Sequence, residues 1–380
     1  MVKARRQFLK FTCKIFTKIK IVKNYIRYKN AKHNHVYGKN VIFLEAFNIP
    51  GRRIIQLIHH FLFSGYNCYL DYSFRQYLKL DENAIYASKL KGIFPAKKKT
   101  TGFSIIVSDN KEALDSSDPN VLKVHINYLL LKNKFNNIDT VTENDLYYPI
   151  GLHKNFLDFS IESEVLKAAF NSERKIGAIF AGNTISNSNP GKSAYNRSIT
   201  KELLNINTRV EMFSHIAEKI QAEYIYFPDN LGVFLNDMES GYLKNKIVLI
   251  NTQKFSIPRD KYFNILLNAN FYIHMCGSKQ PFCHNQIESM LAGCIPITQF
   301  KQFFVPGFEH KLNSLLFDTL DELGFLLLGV ASGEYDDLLN SMRKNIICYY
   351  KKHHSFESFK NKLSYLMDNK INHTSHFIVK

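Results

Sequence analysis

Asn285 and Glu288 stand three residues apart in the segment Phe271 to Phe300, FYIHMCGSKQPFCHNQIESMLAGCIPITQF, and their types and spacing can do two kinds of work. Asn285 is a good helix N-cap, and Glu288 can return a hydrogen bond to it, which together make a capping box. A carboxylate in the first turn of a helix can also accept hydrogen bonds from the two hydroxyls of a ribose. The residues just before them suit a ligand of that kind. Gly277, Ser278, Lys279, Gln280, Pro281 and Phe282 form a polar loop, and Lys279 can bring a full positive charge to it. A helix start offers unpaired N–H groups and a partial positive charge, which favour a diphosphate.

Such residues need elements that aim them. Phe271 to Met275 has the length and residue types of a buried strand, and Ile287, Met290 and Leu291 supply the buried face of a helix. Gly293 suits the helix exit, and Cys294 to Thr298 reads as the next strand, with Pro296 favouring an edge or a local irregularity. Strand, loop, helix and strand make a βαβ unit, and its loop lies at the carboxyl end of a parallel strand, where open α/β sheets bind ligands.

Gly277, Pro281-Phe282, His284-Asn285, Glu288-Ser289, Ala292-Gly293 and Ile295-Pro296-Ile297 resemble the donor-binding segment of GT-B glycosyltransferases. The likeness is greatest to the exostosin-like group and related bacterial enzymes that build surface polysaccharide. It covers roughly residues 145 to 320, and its motifs are moderately specific. The resemblance implies two Rossmann-like domains facing a cleft, with Glu288 beside the nucleotide of a sugar donor. It also implies that the first domain holds the acceptor and supplies any general base. Tyr147 to His153 (YYPIGLH) is similar to the crossing between domains in these relatives, and Gly182-Asn183 to the start of their sugar-donor domain.

At 380 residues, two domains are the natural expectation. Residues 41–150 read as a first α/β domain: Val41 to Phe47, Cys68 to Tyr72, Phe103 to Ser108 and Val121 to Ile126 look like strands, and Arg52 to Phe63 like an apolar helix. Its strand-end acids are Glu45, Asp71 and Asp109. Each suits a cap or a turn; as catalytic base, Asp109 stands first and Glu45 second. Residues 151–345 read as the second domain, opened by the buried strand Lys175 to Gly182. Further strands are expected at Ala222 to Phe227, Lys246 to Ile250 and Asn313 to Phe317, and a helix from Ser256 to about Asn270. Arg209 stands at a helix start, as a phosphate contact or a surface charge. Residues 346–380 read as C-terminal helices, and GT-B folds carry their final helix back onto the first domain.

Two strand ends nearly a hundred residues apart then have a definite expected relation. The loops at Gly182-Asn183 and at Gly277 to Asn285 should leave the same edge of one parallel sheet and face a common cleft.

The formal charge is +17, and twelve of those charges lie in residues 1–40, before the first acidic residue, Glu45. Phe8, Phe11, Ile15, Ile19, Val22 and Ile26 recur among them at helical spacing. Lysines interrupt every apolar run, which excludes a signal peptide and a membrane span. The pattern is a basic amphipathic arm, suited to an anionic membrane surface through residues 1–30 or to packing on the protein itself. No nucleic-acid recognition module follows it, so nucleic acid is not an expected partner. The six Cys residues have neither a disulfide framework nor a CxxC pair, which fits reduced cysteines in the cytoplasm and no zinc site. Pro190-Gly191-Lys192-Ser193 has the end of a P-loop, but Ser186 stands where that motif needs Gly.

The function expected from this sequence is metal-independent transfer of a sugar from a nucleotide-diphosphate donor to a lipid-linked or lipopolysaccharide acceptor. The site comprises Gly182, Asn183, Arg209, Gly277, Lys279, Pro281, His284, Asn285 and Glu288, with Asp109 or Glu45 as base. No cofactor is expected, and the enzyme should be peripheral on the inner face of the cell membrane. A nucleotide-sugar epimerase on the same fold and a silent scaffold of a polysaccharide assembly complex are the competing classes.

Overall fold

The computed structural model describes residues 22–26, 28, 38–44, 51–71, 90–96, 102–129, 136–153, 155–183, 199–276, 281–299 and 301–379. Six strands come first: β1 (Lys39–Phe43), β2 (Tyr66–Leu70), β3 (Ile93–Pro95), β4 (Ile105–Ser108), β5 (Leu122–Leu129) and β6 (Leu146–Tyr147). Six more follow: β7 (Ile176–Gly182), β8 (Ile225–Tyr226), β9 (Ile247–Asn251), β10 (Ala269–Ile273), β11 (Ile295–Thr298) and β12 (Leu315–Leu316), and β13 (His373–Val379) is the last. They form two wholly parallel sheets, ordered β3-β2-β1-β4-β5-β13-β6 and β12-β11-β10-β7-β9-β8. Fold class is therefore α/β, with two Rossmann-like units.

The strands read as they do because parallel sheets are covered on both faces. β4 (IIVS) and β7 (IGAIFAG) are buried along their whole length. Gly177 in β7 is a packing requirement, since a Cβ there would stand 2.8 Å from the Lys246 carbonyl oxygen. Pro296 lies in β11, between β10 and β12. It pairs with Tyr272 on one side, while β12 begins its pairing only opposite Ile297, so the missing N–H falls where that flank has no partner strand.

The chain passes from the first sheet to the second through residues 148–158, into the helix Phe159–Asn171. It returns after the helix Leu339–His353. The helix Phe356–Asp368 then packs on the first unit's Gly51–Phe63, with the Phe359 ring edge-on to Phe61 at 5.3 Å. Glu162 ties the two crossings together: its carboxylate accepts from the Tyr350 hydroxyl at 2.6 Å and from the Phe356 N–H at 3.2 Å.

The C-terminal segment departs from the expectation of helices alone. β13 lies in the interior of the first sheet, between β5 and β6, and pairs with β5 from His373 to Val379. Its sequence, HTSHFIV, is too polar in its first half to announce an interior strand. The polar groups are accommodated by specific partners: Ser375 N–H donates to Asp145 at 3.0 Å, and His376 Nδ1 meets the Leu146 carbonyl at 3.1 Å.

Most of the basic arm lies outside the described residues. Residues 22–26 are helical, Tyr28 is buried with its hydroxyl donating to the Leu70 carbonyl, and Ile26 is 53 % exposed. The tyrosines of this segment thus hold the fold, while Ile26, at the end of the apolar stripe, is exposed. Among the described residues no helix is long and apolar enough to cross a membrane.

Candidate functional site

A cavity of about 620 Å³ lies between the two units, at the carboxyl edge of the second sheet. Its walls come from strand ends and helix starts. β7 ends there in Gly182-Asn183, and the helix His284–Leu291, which follows β10, starts there. The two loops emerge on one edge, and the Asn285 amide donates to the Ala181 carbonyl at 2.8 Å.

The expected capping box is not formed. Cys283 is the N-cap, and its N–H donates to the Gln286 side chain at 3.1 Å. Asn285 and Glu288 are taken up by tertiary partners. Besides Ala181, the Asn285 amide donates to the Tyr272 hydroxyl at 2.9 Å, and Glu288 Oε1 accepts from the His153 N–H at 2.9 Å. Both side chains still line the cavity.

Glu288 is 3 % exposed. Burial pushes its carboxyl up to about 7, against the lowering effect of the His153 N–H and the Tyr262 side chain. The buried Tyr262 hydroxyl faces this carboxylate without reaching hydrogen-bond geometry. Burial and the neighbouring negative charge raise the Tyr262 pKa well above its usual range. His284 lies on the same wall; its Nδ1 is 2.8 Å from the Gly151 carbonyl, which makes Nδ1 the donor.

Arg209 is the first residue of the helix Arg209–Lys219, capped by Thr208 in a capping box with Glu211. A cation at a helix N-terminus opposes the helix dipole. Arg209 is held there by tertiary contacts: its Nη1 donates to the Asn183 carbonyl at 2.9 Å, and the guanidinium lies 5.4 Å from the Phe180 ring centre. The cavity gains two further cations that the sequence analysis did not single out. Arg53 comes from the first unit's helix Gly51–Phe63, and Arg259 from the start of the helix Arg259–Leu267, over the Phe156 ring at 5.6 Å. Thr252, Ser256 and Ile257 complete that wall after β9. The signal that would have found them is positional, since each follows a strand at its carboxyl end.

Three guanidinium groups and one buried carboxylate thus share the cavity with the N-terminus of an eight-residue helix. This arrangement suits a ligand with two negative charges at one end and vicinal hydroxyls at the other.

Other expected site residues lie elsewhere. Pro281 is buried behind the cavity wall, its carbonyl accepting from the Gln286 amide at 2.9 Å. Gly277, Lys279 and Glu45 lie outside the described residues, as does the Pro190 to Ser193 stretch. Asp109 stands at the carboxyl end of β4, accepts from the Tyr128 hydroxyl at 2.7 Å, and does not line the cavity.

No family model and no curated protein matches the chain. Solved structures similar to it include Anabaena HepE in complex with UDP and glucose, with a TM-score of 0.42 and 10% identity over 87% of this chain and 100% of that one. A Rickettsia africae glycosyltransferase gives a TM-score of 0.45 and 12% identity over 88% of this chain and 99% of that one. WaaG, a glycosyltransferase involved in lipopolysaccharide biosynthesis, gives 0.36 and 9% over 86% of this chain and 98% of that one.

Proposed function

We propose that this chain is a GT-B glycosyltransferase that moves a sugar from a nucleotide-diphosphate donor to a glycan or glycolipid acceptor. The observation that carries the proposal is the convergence of Gly182-Asn183, Arg209, Arg259, the His284 helix start and Glu288 on one cavity between two parallel sheets. In this reading the cations and helix N–H groups hold the diphosphate and stabilise it as it leaves, without an obligatory metal. Glu288 accepts hydrogen bonds from the ribose hydroxyls.

A base on the first unit takes the proton of the acceptor hydroxyl if the enzyme inverts. Asp109 is our first choice for that base and Glu45 the second; the acceptor comes from the side of the first sheet. The acceptor is lipid-linked or part of a lipopolysaccharide, and the basic arm of residues 1–30 holds the enzyme on an anionic membrane surface.

The test is incubation with a panel of nucleotide sugars labelled in the sugar, including UDP-linked hexoses, with membrane glycolipids as acceptors. Label moving to the acceptor supports the proposal. Epimerised sugar on intact nucleotide would replace it with the epimerase class. Absence of binding and turnover across the panel would leave the scaffold class in its place.

A further inference from the structure

A second cavity, of about 340 Å³, opens at the opposite edge of the second sheet, where β7 and β10 begin. Its floor is cationic. Arg174 is 7 % exposed, and its terminal nitrogens donate to the carbonyls of Leu266, Ala269, Ala169 and Ala292 at 2.9 to 3.1 Å. Arg343 stands close by, with Nη2 donating to Asn270 Oδ1 at 2.6 Å and Nη1 to Asn340 Oδ1 at 3.4 Å. The Nε of each arginine is buried without a partner.

Among the described residues, no carboxylate pairs with this floor, and no ion pair includes Arg174 or Arg343. Glu173 and Asp336 line the cavity but are exposed, as is Lys244. The neighbouring Cys294 thiol is held up to about 11 by burial and stays neutral. Burial pulls the Arg174 guanidinium down to about 10, and the charge of Arg343 pushes the same way. Two desolvated cations side by side, hydrogen-bonded only to neutral acceptors, are costly unless an anion joins them.

We propose that this cavity is a binding site for a phosphate group, held by Arg343 over the Arg174 floor with Lys244 at the rim. The cavity exceeds a single phosphate in volume, so the group arrives either as the free ion with water or as part of a phosphorylated metabolite. The site is separate from the cleft, on the far edge of the same sheet. Occupancy there joins the starts of β7 and β10 to the helix Leu339–His353 through Arg343. The proposal does not depend on the glycosyltransferase assignment.

The experiment is titration of the intact chain with inorganic phosphate and, separately, with a hexose phosphate, by calorimetry at constant ionic strength. Arg343→Gln and the exposed Lys244→Ala are compared with Arg259→Ala, which alters only the cleft. Saturable binding should persist in Arg259→Ala and weaken on the order of tenfold in Arg343→Gln, as expected for loss of a charged hydrogen bond. Lys244→Ala should weaken it several-fold, and it decides the matter if Arg343→Gln does not fold. Tighter binding of the hexose phosphate identifies an organic ligand, and equal binding identifies the free ion. Absence of saturable binding in both arms overturns the proposal. So does binding that survives the rim and floor variants but is lost in Arg259→Ala.

Discussion

Replacing Glu288 with Gln separates the charge of one buried carboxylate from its shape. Gln can still accept the His153 N–H that Glu288 accepts at 2.9 Å, so the contact with the interdomain segment survives. Burial has raised the Glu288 pKa to about 7. The ionised form is the stronger acceptor at both oxygens, so affinity for a nucleotide sugar should fall as the pH drops through about 7, by less than tenfold per pH unit. A hydrogen bond to a charged group is worth about 1.5–3 kcal/mol and a neutral one about 0.5–1.5. The variant should therefore lose roughly 1–2 kcal/mol, about 5- to 30-fold in affinity, at pH 8. At pH 5 parent and variant should converge.

The sign for stability is the reverse. A carboxyl whose folded pKa is raised contributes stability that is present below its unfolded pKa and lost as pH rises through about 7. Glu288→Gln should thus be the more stable protein at pH 8, by at most about 3 kcal/mol, and loss of binding cannot be blamed on unfolding. Calorimetric titration from pH 5 to pH 8 reads the effect, with a nucleotide sugar whose doubly esterified diphosphate binds no proton in that range. Equal affinity of parent and variant at pH 8 would refute the reasoning. A variant that kept the parental pH slope would assign that slope to another group.

Three further outcomes are expected. Arg259 is exposed, so Arg259→Ala should leave the thermal midpoint almost unchanged while nucleotide-sugar affinity drops several-fold and its salt dependence weakens; unaltered affinity would remove Arg259 from the site. Glu162 is also raised to about 7 by burial, so Glu162→Gln should gain on the parent by about 2–3 kcal/mol between pH 5 and pH 8, measured by urea unfolding; an equal gap at both pH values would contradict this. Removing residues 1–21 keeps Tyr25 and Tyr28, whose ring centres lie 6.4 Å apart, and should abolish binding to anionic vesicles without unfolding the protein; unchanged vesicle binding would argue against the arm.

The sequence made the second sheet legible because a parallel strand covered on both faces is a continuous apolar run. KIGAIFAG and FYIHM announce themselves, and strand polarity alone brings Gly182 and Asn285 to one edge. The cap was misassigned for a physical reason: Asn285 and Glu288 have tertiary partners in Ala181, Tyr272 and His153, and these outcompete the local hydrogen bonds that a lone helix would form. Arg53 and Arg259 were overlooked because a single cation at a helix start has no periodicity to mark it. β13 escaped because its polarity is absorbed by Asp145 and the Leu146 carbonyl, neighbours that no local pattern reveals.

The place of β13 sets an order of events for a chain made from one end. The contacts it makes with Asp145 and Leu146 span 230 residues, and the whole second sheet is synthesised between them. Until β13 arrives, β5 and β6 share no partner, and a slot remains between β5 and the edge strand β6. The earlier half therefore cannot finish folding before the later half, and such long-range closure slows the final step. A fragment ending near residue 150 would carry that slot permanently, with the unpaired edge of β5 open to any strand that fits it. In this protein the first unit in the sequence is the last to be completed.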